Sequence, residues 1–374
     1  GKTNAQEFNE GTHPRGFVIT YLAEGATGSL FQTRLALANP STAPAHALLR
    51  YAKADGSLVT QTVLVPATGR ATVDVETVTG MATAEFATTI EADRAIVVDR
   101  TLRWSTTGHY GSHAERSVPA PATTWYLAEG ATHSGFDLFY LLQNPSATTA
   151  NVTVTYLLPA GAPLTKQYTV AGNTRFNIWV NVEQIPEGSG ATPLASTDVS
   201  AIVSVTNGVP IIVERAVYLT RGGQMFAAGH ESAGVTSPAL SWFLAEGNTG
   251  PYFDLFVLVA NPNPQAAEIT ADYLLVDGTV ITRTYRVDPT SRFNIWVDLE
   301  DPRLLDAAVS TTVTSTNGVA VIVERAMWWP GDFGSWMEAH NSPGSTETAT
   351  RWGLAEGEVG GDDAVETYIL IANT

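Results

Sequence analysis

Charged residues recur at fixed spacing along this chain, and they are the side chains with which the protein could do chemistry. A glutamate is followed 46 residues later by an arginine, then by an acid–arginine pair, and then by a histidine. This order occurs three times. The members are Glu24, Arg70, Asp99, Arg100 and His113; Glu129, Arg175, Glu214, Arg215 and His230; and Glu246, Arg292, Glu324, Arg325 and His340.

Carboxylates beside a histidine could perform general acid–base catalysis or hydrolyse a sugar linkage. The alternative is a structural network, in which each glutamate pairs with an arginine of its own repeat and holds the first strand against the fifth and seventh. A carboxylate among apolar residues needs an ionic or hydrogen-bonded partner, and the guanidinium fork suits that role. We favour the structural interpretation because an array needs every repeat to fold but rarely needs every repeat to catalyse. We therefore predict that the protein is not an enzyme.

The charged residues belong to a sequence repeat. The string Leu-Ala-Glu-Gly occurs at residues 22–25, 127–130, 244–247 and 354–357, so its glutamates are separated by 105, 117 and 110 residues. An Asn-Pro pair begins 15 residues after each of the first three glutamates. We predict three complete repeats at 17–120, 121–237 and 238–345. The tail of a preceding repeat is predicted at 1–16, and the head of a following repeat at 346–374.

Each repeat alternates short apolar runs with turn residues, which is typical of an all-β domain. In the third repeat seven such runs lie between residues 242 and 328. Asp277-Gly278 and Asn317-Gly318 separate apolar runs and predict hairpins, since Asp-Gly and Asn-Gly suit the positive φ of type I′ turns. Seven short strands with regular turns favour an immunoglobulin-like sandwich. Because the linkers are short, we predict tandem seven-stranded β-sandwiches arranged end to end.

Composition narrows the classes of function. The chain has 374 residues, a formal net charge of −17 and no cysteine. An acidic protein is poorly suited to nucleic acid, which is bound by Lys and Arg at its phosphates, and to anionic membrane surfaces. No apolar run is long enough for a membrane-spanning helix. The lack of cysteine excludes thiol catalysis, disulfides and cysteine-ligated metals, and we expect no cofactor and no obligatory metal.

Tryptophans leave a carbohydrate-binding role open. Trp179 and Trp296 stand in the middle of predicted strands, where a repeated tryptophan usually belongs to the core. Trp328, Trp329 and Trp336 occur only in the third repeat and are better candidates for an exposed patch that stacks on sugars. The alternative for these three is contact with the following domain. The second hypothesis is therefore an adhesin or carbohydrate-binding repeat module of a larger secreted protein, with surface glycans as partners.

The combination of Trp-Tyr-Leu-Ala-Glu-Gly, Asn-Pro, Val-Glu-Arg-Ala and a terminal Gly-His resembles an uncharacterised bacterial repeat family. Its members are β-sandwich repeats that occur in tandem in long, predicted secreted proteins of actinobacteria and related lineages. The resemblance therefore implies an extracellular or cell-surface location, and it brings no established activity. The first repeat departs from the pattern, with Asp99 in place of glutamate and Ser112 before its histidine.

The leading hypothesis is an extracellular structural protein that forms a surface fibre, filament or stalk. Near the end of the chain, residues 367–372 form an apolar run that contains Tyr368, Ile369 and Leu370. We predict that this run is an assembly strand, completed by further repeats of the same chain or by further copies of the protein, because exposed strand edges pair with other chains. Both outcomes predict a working object longer than this chain.

Overall fold

The protein is all-β in the computed structural model, which describes residues 17–106, 109–331, 336–360 and 366–374. The tail predicted at 1–16 lies outside the described residues. Helical structure in the described ranges consists of short 3₁₀ turns at Val75–Thr77, Val180–Val182, Val297–Leu299 and Pro302–Leu304. None of these helices has the length or apolar character needed to cross a membrane.

Strands follow one another in the same order in each repeat. The first repeat has β1 (Val18–Leu22), β2 (Ala26–Thr27), β3 (Phe31–Asn39), β4 (Ala45–Lys53), β5 (Leu58–Val65), β6 (Gly69–Asp74), β7 (Ala84–Ala92), β8 (Val97–Thr106) and β9 (His109–Arg116). The second has β10 (Thr124–Leu127), β11 (Phe136–Asn144), β12 (Ala150–Leu157), β13 (Leu164–Val170), β14 (Thr174–Trp179), β15 (Ser200–Val205), β16 (Ile212–Arg221) and β17 (Gln224–Ala233). The third has β18 (Ser241–Leu244), β19 (Asp254–Asn261), β20 (Ala267–Leu275), β21 (Val280–Val287), β22 (Ser291–Trp296), β23 (Val309–Ser315), β24 (Ile322–Trp329) and β25 (Glu338–Pro343).

Each repeat forms two antiparallel sheets of four main strands. In the second repeat the orders are β10-β15-β12-β13 and β14-β11-β16-β17, and the third repeat has the same pairing. The first repeat adds only the two-residue strand β2, which pairs with β7. Buried side chains from both sheets meet in one core, as Leu49 and Leu35 do in the first repeat. Each described repeat is therefore a two-layer structure of eight principal strands.

The prediction of seven strands is wrong because it omitted the last strand, which is β9, β17 or β25. In β25 the residues are Glu-Ala-His-Asn-Ser-Pro, which lack an apolar run. The last strand of each repeat carries the recurring histidine and polar residues at buried positions, such as Glu115, Glu231 and Asn341, so its sequence does not show the alternation of an ordinary half-buried strand. Strand β12 shows that alternation, with Ala150, Val152 and Val154 buried between more exposed neighbours.

One of the two predicted hairpins is wrong. Asp277-Gly278 does form a hairpin that joins β20 to β21. The turn is not type I′, because that type needs positive φ at both central residues and only Gly278 has it. Asn317-Gly318 instead leads from β23 in one sheet to β24 in the other. The Asn317 side chain accepts a hydrogen bond from the backbone of Glu268 and donates to that of Ala266. The Asn-Gly segment is therefore a crossover between the two layers.

The repeats do not lie end to end as predicted. Strand β17 packs against both β9 and β25, so the last strands of the three repeats lie side by side. Most of β17 is buried, because its repeat's core and the neighbouring repeats cover it. The apolar cores of the second and third repeats are continuous and also include Leu102 and Trp104 of the first. Extensive burial between repeats replaces the small end contacts expected of a rod.

The segment 346–374, which is predicted to be the head of a following repeat, packs against the first repeat. The backbone N–H groups of Ala355 and Glu356 donate to the Asp99 carboxylate of β8. Tyr368, Ile369 and Leu370 are exposed, and no strand forms at 367–372. Within the described chain these residues have no neighbouring strand with which to pair, so their pairing with further repeats or further copies stays a prediction.

Candidate functional site

The Leu-Ala-Glu-Gly strings form loops that directly follow the first strand of each complete repeat. Glycine is required there by close packing. A Cβ atom at Gly130 would lie 2.5 Å from the backbone oxygen of Val199, and one at Gly25 would lie 2.4 Å from the ring of Phe86. These distances are shorter than any ordinary contact. The glycine thus lets the loop approach its surroundings, with its backbone N–H and C=O groups available for hydrogen bonds.

In the second and third repeats, the acid of the acid–arginine pair binds the loop of the preceding repeat. The Glu214 carboxylate of the second repeat accepts hydrogen bonds from the N–H groups of Ala23 and Glu24 in the first, at 2.9 and 2.8 Å. Glu324 of the third repeat likewise accepts from Ala128 of the second, at 2.7 Å. The carboxylates of Glu214 and Glu324 therefore join one repeat to the next.

The recurring arginine that precedes this pair also binds the preceding repeat. Arg175 donates to the carbonyl oxygen of Gly25 at 3.0 Å, and Arg292 donates to that of Gly130. Both guanidinium groups are buried. Each loop is consequently held from two sides by the next repeat, with a carboxylate on its N–H groups and a guanidinium on its glycine carbonyl.

Contacts within one repeat involve the loop glutamate and the arginine of the acid–arginine pair. Glu24 lies 3.4 Å from Arg100, and Glu129 lies 3.4 Å from Arg215. Glu246 is paired with Arg325. The pairing of each glutamate with an arginine of its own repeat is thus present, but the first arginine of each set points to the neighbouring repeat instead.

The three histidines lie close to the loop glutamates. His230 Nε2 is 3.1 Å from Glu129, and His113 Nε2 is 3.7 Å from Glu24. In the third repeat, an Arg325 N–H donates to Nδ1 of His340 at 2.6 Å. Burial, reinforced by the charge of Arg100, holds the pKa of His113 well below its usual value. His113 is therefore neutral at physiological pH.

The cluster between the first and second repeats contains a surplus of carboxylates. Three of them, Glu24, Glu214 and Glu231, surround the single guanidinium of Arg100, and all four side chains are buried. Burial raises the pKa of Glu231 well above its usual range, and the neighbouring carboxylates add to this rise against the opposing effect of Arg100. Burial also raises the pKa of nearby Glu115 to about 7. Protons are therefore held in this cluster near neutral pH.

The cluster between the second and third repeats has a balanced composition. Arg215 meets two carboxylates, Glu129 and Glu324, while Asn341 replaces the third. The Asn341 side chain also donates to Glu129 at 2.7 Å. Burial opposes the ionisation of Glu129. His230, Arg215 and Arg292 outweigh this effect, so the pKa of the Glu129 carboxyl is lowered. The two clusters therefore share a geometry but differ in proton content.

The buried charged residues are enclosed by protein and already bonded to one another. Glu129, Glu214 and Glu324 are already hydrogen-bonded and have almost no exposed surface. Glu24, His113 and Glu231 lie close enough to offer ligands to one metal ion. Arg100 already pairs with both of these glutamates, and its positive charge disfavours a cation at the same place.

Aromatic residues divide between the repeat interface and the surface. Trp328 and Trp336 are buried and stacked with ring centroids 5.0 Å apart, and Trp328 packs on Phe136 of the preceding repeat. Trp328 and Trp336 are therefore not part of an exposed patch, and Trp329 is half-buried against Phe253. Trp179 is 44% exposed, so its assignment to the core is wrong. It stacks on Phe139 at the sheet surface.

Sequence reasoning missed several members of the clusters. Glu231 and Asn341 each follow the recurring histidine directly, and Glu115 lies two residues after His113. The signal that could have found them is this shared position in the last strand. It was overlooked because the residue type differs between repeats and the strand itself was not predicted.

Comparisons with known proteins give only partial similarities. No family profile and no curated protein matches the chain. The Thermotoga maritima 1070 structure has 15% identity over 30% of this chain and 97% of its own, with a TM-score of 0.27. The Anabaena sensory rhodopsin transducer has 23% identity over 26% and 83%, with a TM-score of 0.21. A tetra-tandem repeat from the extending region of a large adhesion protein has 13% identity over 88% and 74%, with a TM-score of 0.14. These likenesses are too slight to support an argument about function.

Proposed function

We propose that this chain is a non-catalytic structural protein of the cell exterior, part of a surface fibre, filament or stalk whose tandem β-sandwich repeats lock into one another. Its partners are further repeats of the same chain or further copies of the protein. The sandwiches are immunoglobulin-like in having two antiparallel layers, but they have eight principal strands.

One observation carries this proposal: the recurring charged residues are used to hold neighbouring repeats together. Glu214 and Arg175 bind the loop of the first repeat, and Glu324 and Arg292 bind the loop of the second. Charged groups that are buried and mutually paired are poor catalysts but fix the orientation of two domains, since leaving one partner alone costs about 3–5 kcal/mol. A chain built in this way resists bending at its linkers.

The location is tested by immunogold electron microscopy of the source cells, with antibodies raised against the purified chain. We expect label on the cell surface or on material extending from it. Label confined to the cell interior would contradict the proposed location. In that case the proposed role as part of a surface fibre, filament or stalk would have to be abandoned.

The absence of catalysis is tested with panels of glycan and peptide substrates. We expect no turnover by the purified chain. A Glu129→Gln variant provides the control, because Glu129 is a buried carboxylate that lies 3.1 Å from His230. Turnover that this single change abolishes would show that the protein is an enzyme.

A second candidate function, glycan binding, is favoured by a cavity between the second and third repeats. Trp296, Asn294 and Asp198 line it, and the buried indole N–H of Trp296 has no hydrogen-bond partner among the described residues. A sugar offers hydroxyl groups for such a donor and a face for the ring. A glycan array tests this role, with Trp296→Phe as the variant that keeps the ring but removes the N–H. We expect a glycan-binding protein to lose signal with that change, whereas a purely structural one shows no signal at all.

A further inference from the structure

The contacts between consecutive repeats follow one rule. The loop of each repeat is held by an acid and an arginine of the next, as Glu214 and Arg175 hold the loop of the first. In an open row of repeats, the acid and arginine of the first repeat would have only the loop of a preceding repeat to bind. These two residues are Asp99 and Arg70.

The described chain places a different loop at this position. The N–H groups of Ala355 and Glu356, in the fourth repeat, donate to Asp99 at 2.7 and 2.8 Å. Arg70 donates to the carbonyl oxygen of Gly357 at 2.9 Å. These are the hydrogen bonds that join the first repeat to the second and the second to the third. The fourth repeat therefore meets the first as each earlier repeat meets its successor.

The first and third repeats make little direct contact. Their last strands, β9 and β25, both pack extensively on β17 but touch each other only marginally. A cavity of about 660 Å³ separates them, lined by His113 of the first repeat, His340 of the third and Glu356 of the fourth. In a ring of three, the contact between first and third would equal the others. The first and third repeats therefore lack the close contact that each of them makes with the second.

The loop of the third repeat also lacks the partner that the rule requires. In the described chain, no carboxylate accepts from the N–H groups of Ala245 and Glu246. The Glu246 side chain is 36% exposed, whereas those of Glu24 and Glu129 are 6% and 9% exposed. The acid of a fourth repeat, at the position of Glu324 in the third, would complete this loop.

We propose that four repeats close into a ring, in which one fourth repeat binds the third repeat through its acid–arginine pair and the first repeat through its Leu-Ala-Glu-Gly loop. Asp99 and Arg70 form the receiving site for residues 354–357. The closure goes beyond the structural role proposed above, because a closed ring cannot extend into an endless row through these contacts. Higher assembly then uses another surface.

The experiment is a disulfide cross-link in the chain as it stands, which contains no cysteine. A Cβ atom at Gly353 would lie 2.9 Å from Cγ2 of Val97, so the two Cβ atoms are within about 4.4 Å, inside the reach of a disulfide. The double variant Val97→Cys, Gly353→Cys is oxidised at low and high protein concentration and examined on a non-reducing gel. The two single variants serve as controls.

We expect the double variant to form an intramolecular cross-link that migrates as a compact monomer at every concentration. Adding Asp99→Ala should slow its formation by about tenfold. A ladder of multimers would overturn the ring and show that residues 354–357 dock on another copy. Two free thiols after oxidation would overturn the docking itself. Neither result bears on the cell-surface location, so the two proposals fail separately.

A second measurement covers the case in which the double variant does not fold. Hydrogen exchange of residues 353–358 is followed in the otherwise unchanged chain and in Asp99→Ala at high dilution. We expect slow exchange at Ala355 and Glu356 that accelerates at least tenfold in the variant. Equal exchange in both proteins would overturn the proposed receiving site.

Discussion

Replacing Glu231 by glutamine tests whether the first interface holds a surplus carboxylate. The change leaves an oxygen that can still accept from Arg100, while Glu24 and Glu214 continue to balance the guanidinium. The second interface has an amide, Asn341, at the same position. The variant therefore gives the first interface the charge composition that the second one already has.

The sign of the effect follows from the raised pKa of Glu231. A carboxyl whose pKa is higher in the folded state holds a proton that the unfolded chain has released, so the free energy of unfolding falls as pH rises. One such proton changes this free energy by about 1.4 kcal/mol per pH unit. Between pH 5.5 and 7.5 the stability of the unchanged protein should therefore fall, with a slope of up to this size on account of Glu231. Glu231→Gln should remove that loss and be the more stable protein at pH 7.5.

The assay is urea unfolding followed by tryptophan fluorescence at half-unit steps from pH 5.5 to 7.5. Asn341→Glu is the reciprocal variant, because it places a third carboxylate beside Glu129 and Arg215. It should acquire a pH dependence of the same sign and similar size. Infrared spectra at pH 7 provide a direct count, since the band of protonated carboxyl should weaken in Glu231→Gln.

Parallel stability curves for the unchanged protein and Glu231→Gln would refute this reasoning. They would mean that Glu231 is ionised in the folded state and that Arg100 compensates all three carboxylates. The pKa of Glu115, raised to about 7 by burial, predicts a residual pH dependence in both proteins. That residual slope should persist in the variant, and Glu24, whose pKa burial also raises, contributes to it.

Further substitutions separate buried from exposed members of the network. Glu129→Gln should lower the free energy of unfolding by about 3 kcal/mol, because buried His230 loses its carboxylate and buried Arg215 keeps only the carboxylate of Glu324. Glu246→Gln should cost less than that, because solvent reaches the Glu246 side chain and screens its pair with Arg325. Urea unfolding compares the two, and equal losses would contradict the assigned burial. Gly130→Ala should lower the melting temperature by several degrees through its clash with Val199, while Gly357→Ala, whose Cβ would meet nothing closer than 3.6 Å, should leave it unchanged. Calorimetry measures both, and similar shifts would show that the loops tolerate a side chain.

Much of the fold follows from the sequence because repetition and alternation report local structure. Strands such as β12 alternate buried and exposed positions, and the turn at Asp277-Gly278 joins neighbouring strands. The last strand of each repeat could not be predicted in this way. β17 is buried on both faces, because one face packs in its own repeat and the other against the neighbouring repeats. Its sequence therefore does not alternate between apolar and polar residues.

The partners of the charged residues could not be predicted from their spacing. A glutamate and an arginine 46 residues apart recur with the same period whether they meet inside one repeat or across two. Arg175 illustrates the ambiguity, because it could pair with Glu129 of its own repeat and instead binds Gly25 of the preceding one. Whether such an arginine binds within its own repeat or to the preceding one depends on how the folded repeats pack against each other. The spacing of residues in the sequence does not contain that information.

Ring closure follows from the different binding groups on the two sides of each repeat. One side offers a loop with donors and a carbonyl, and the other offers an acid and an arginine that bind such a loop. A row of repeats leaves one loop and one acid–arginine pair unmatched at its ends, and a carboxylate or guanidinium buried without a partner is costly. The exposure of Glu246 shows the unmatched loop in the third repeat. Asp99, by contrast, is matched by the fourth repeat, so closure of the row removes one unmatched end in this chain and would remove the other in a complete ring.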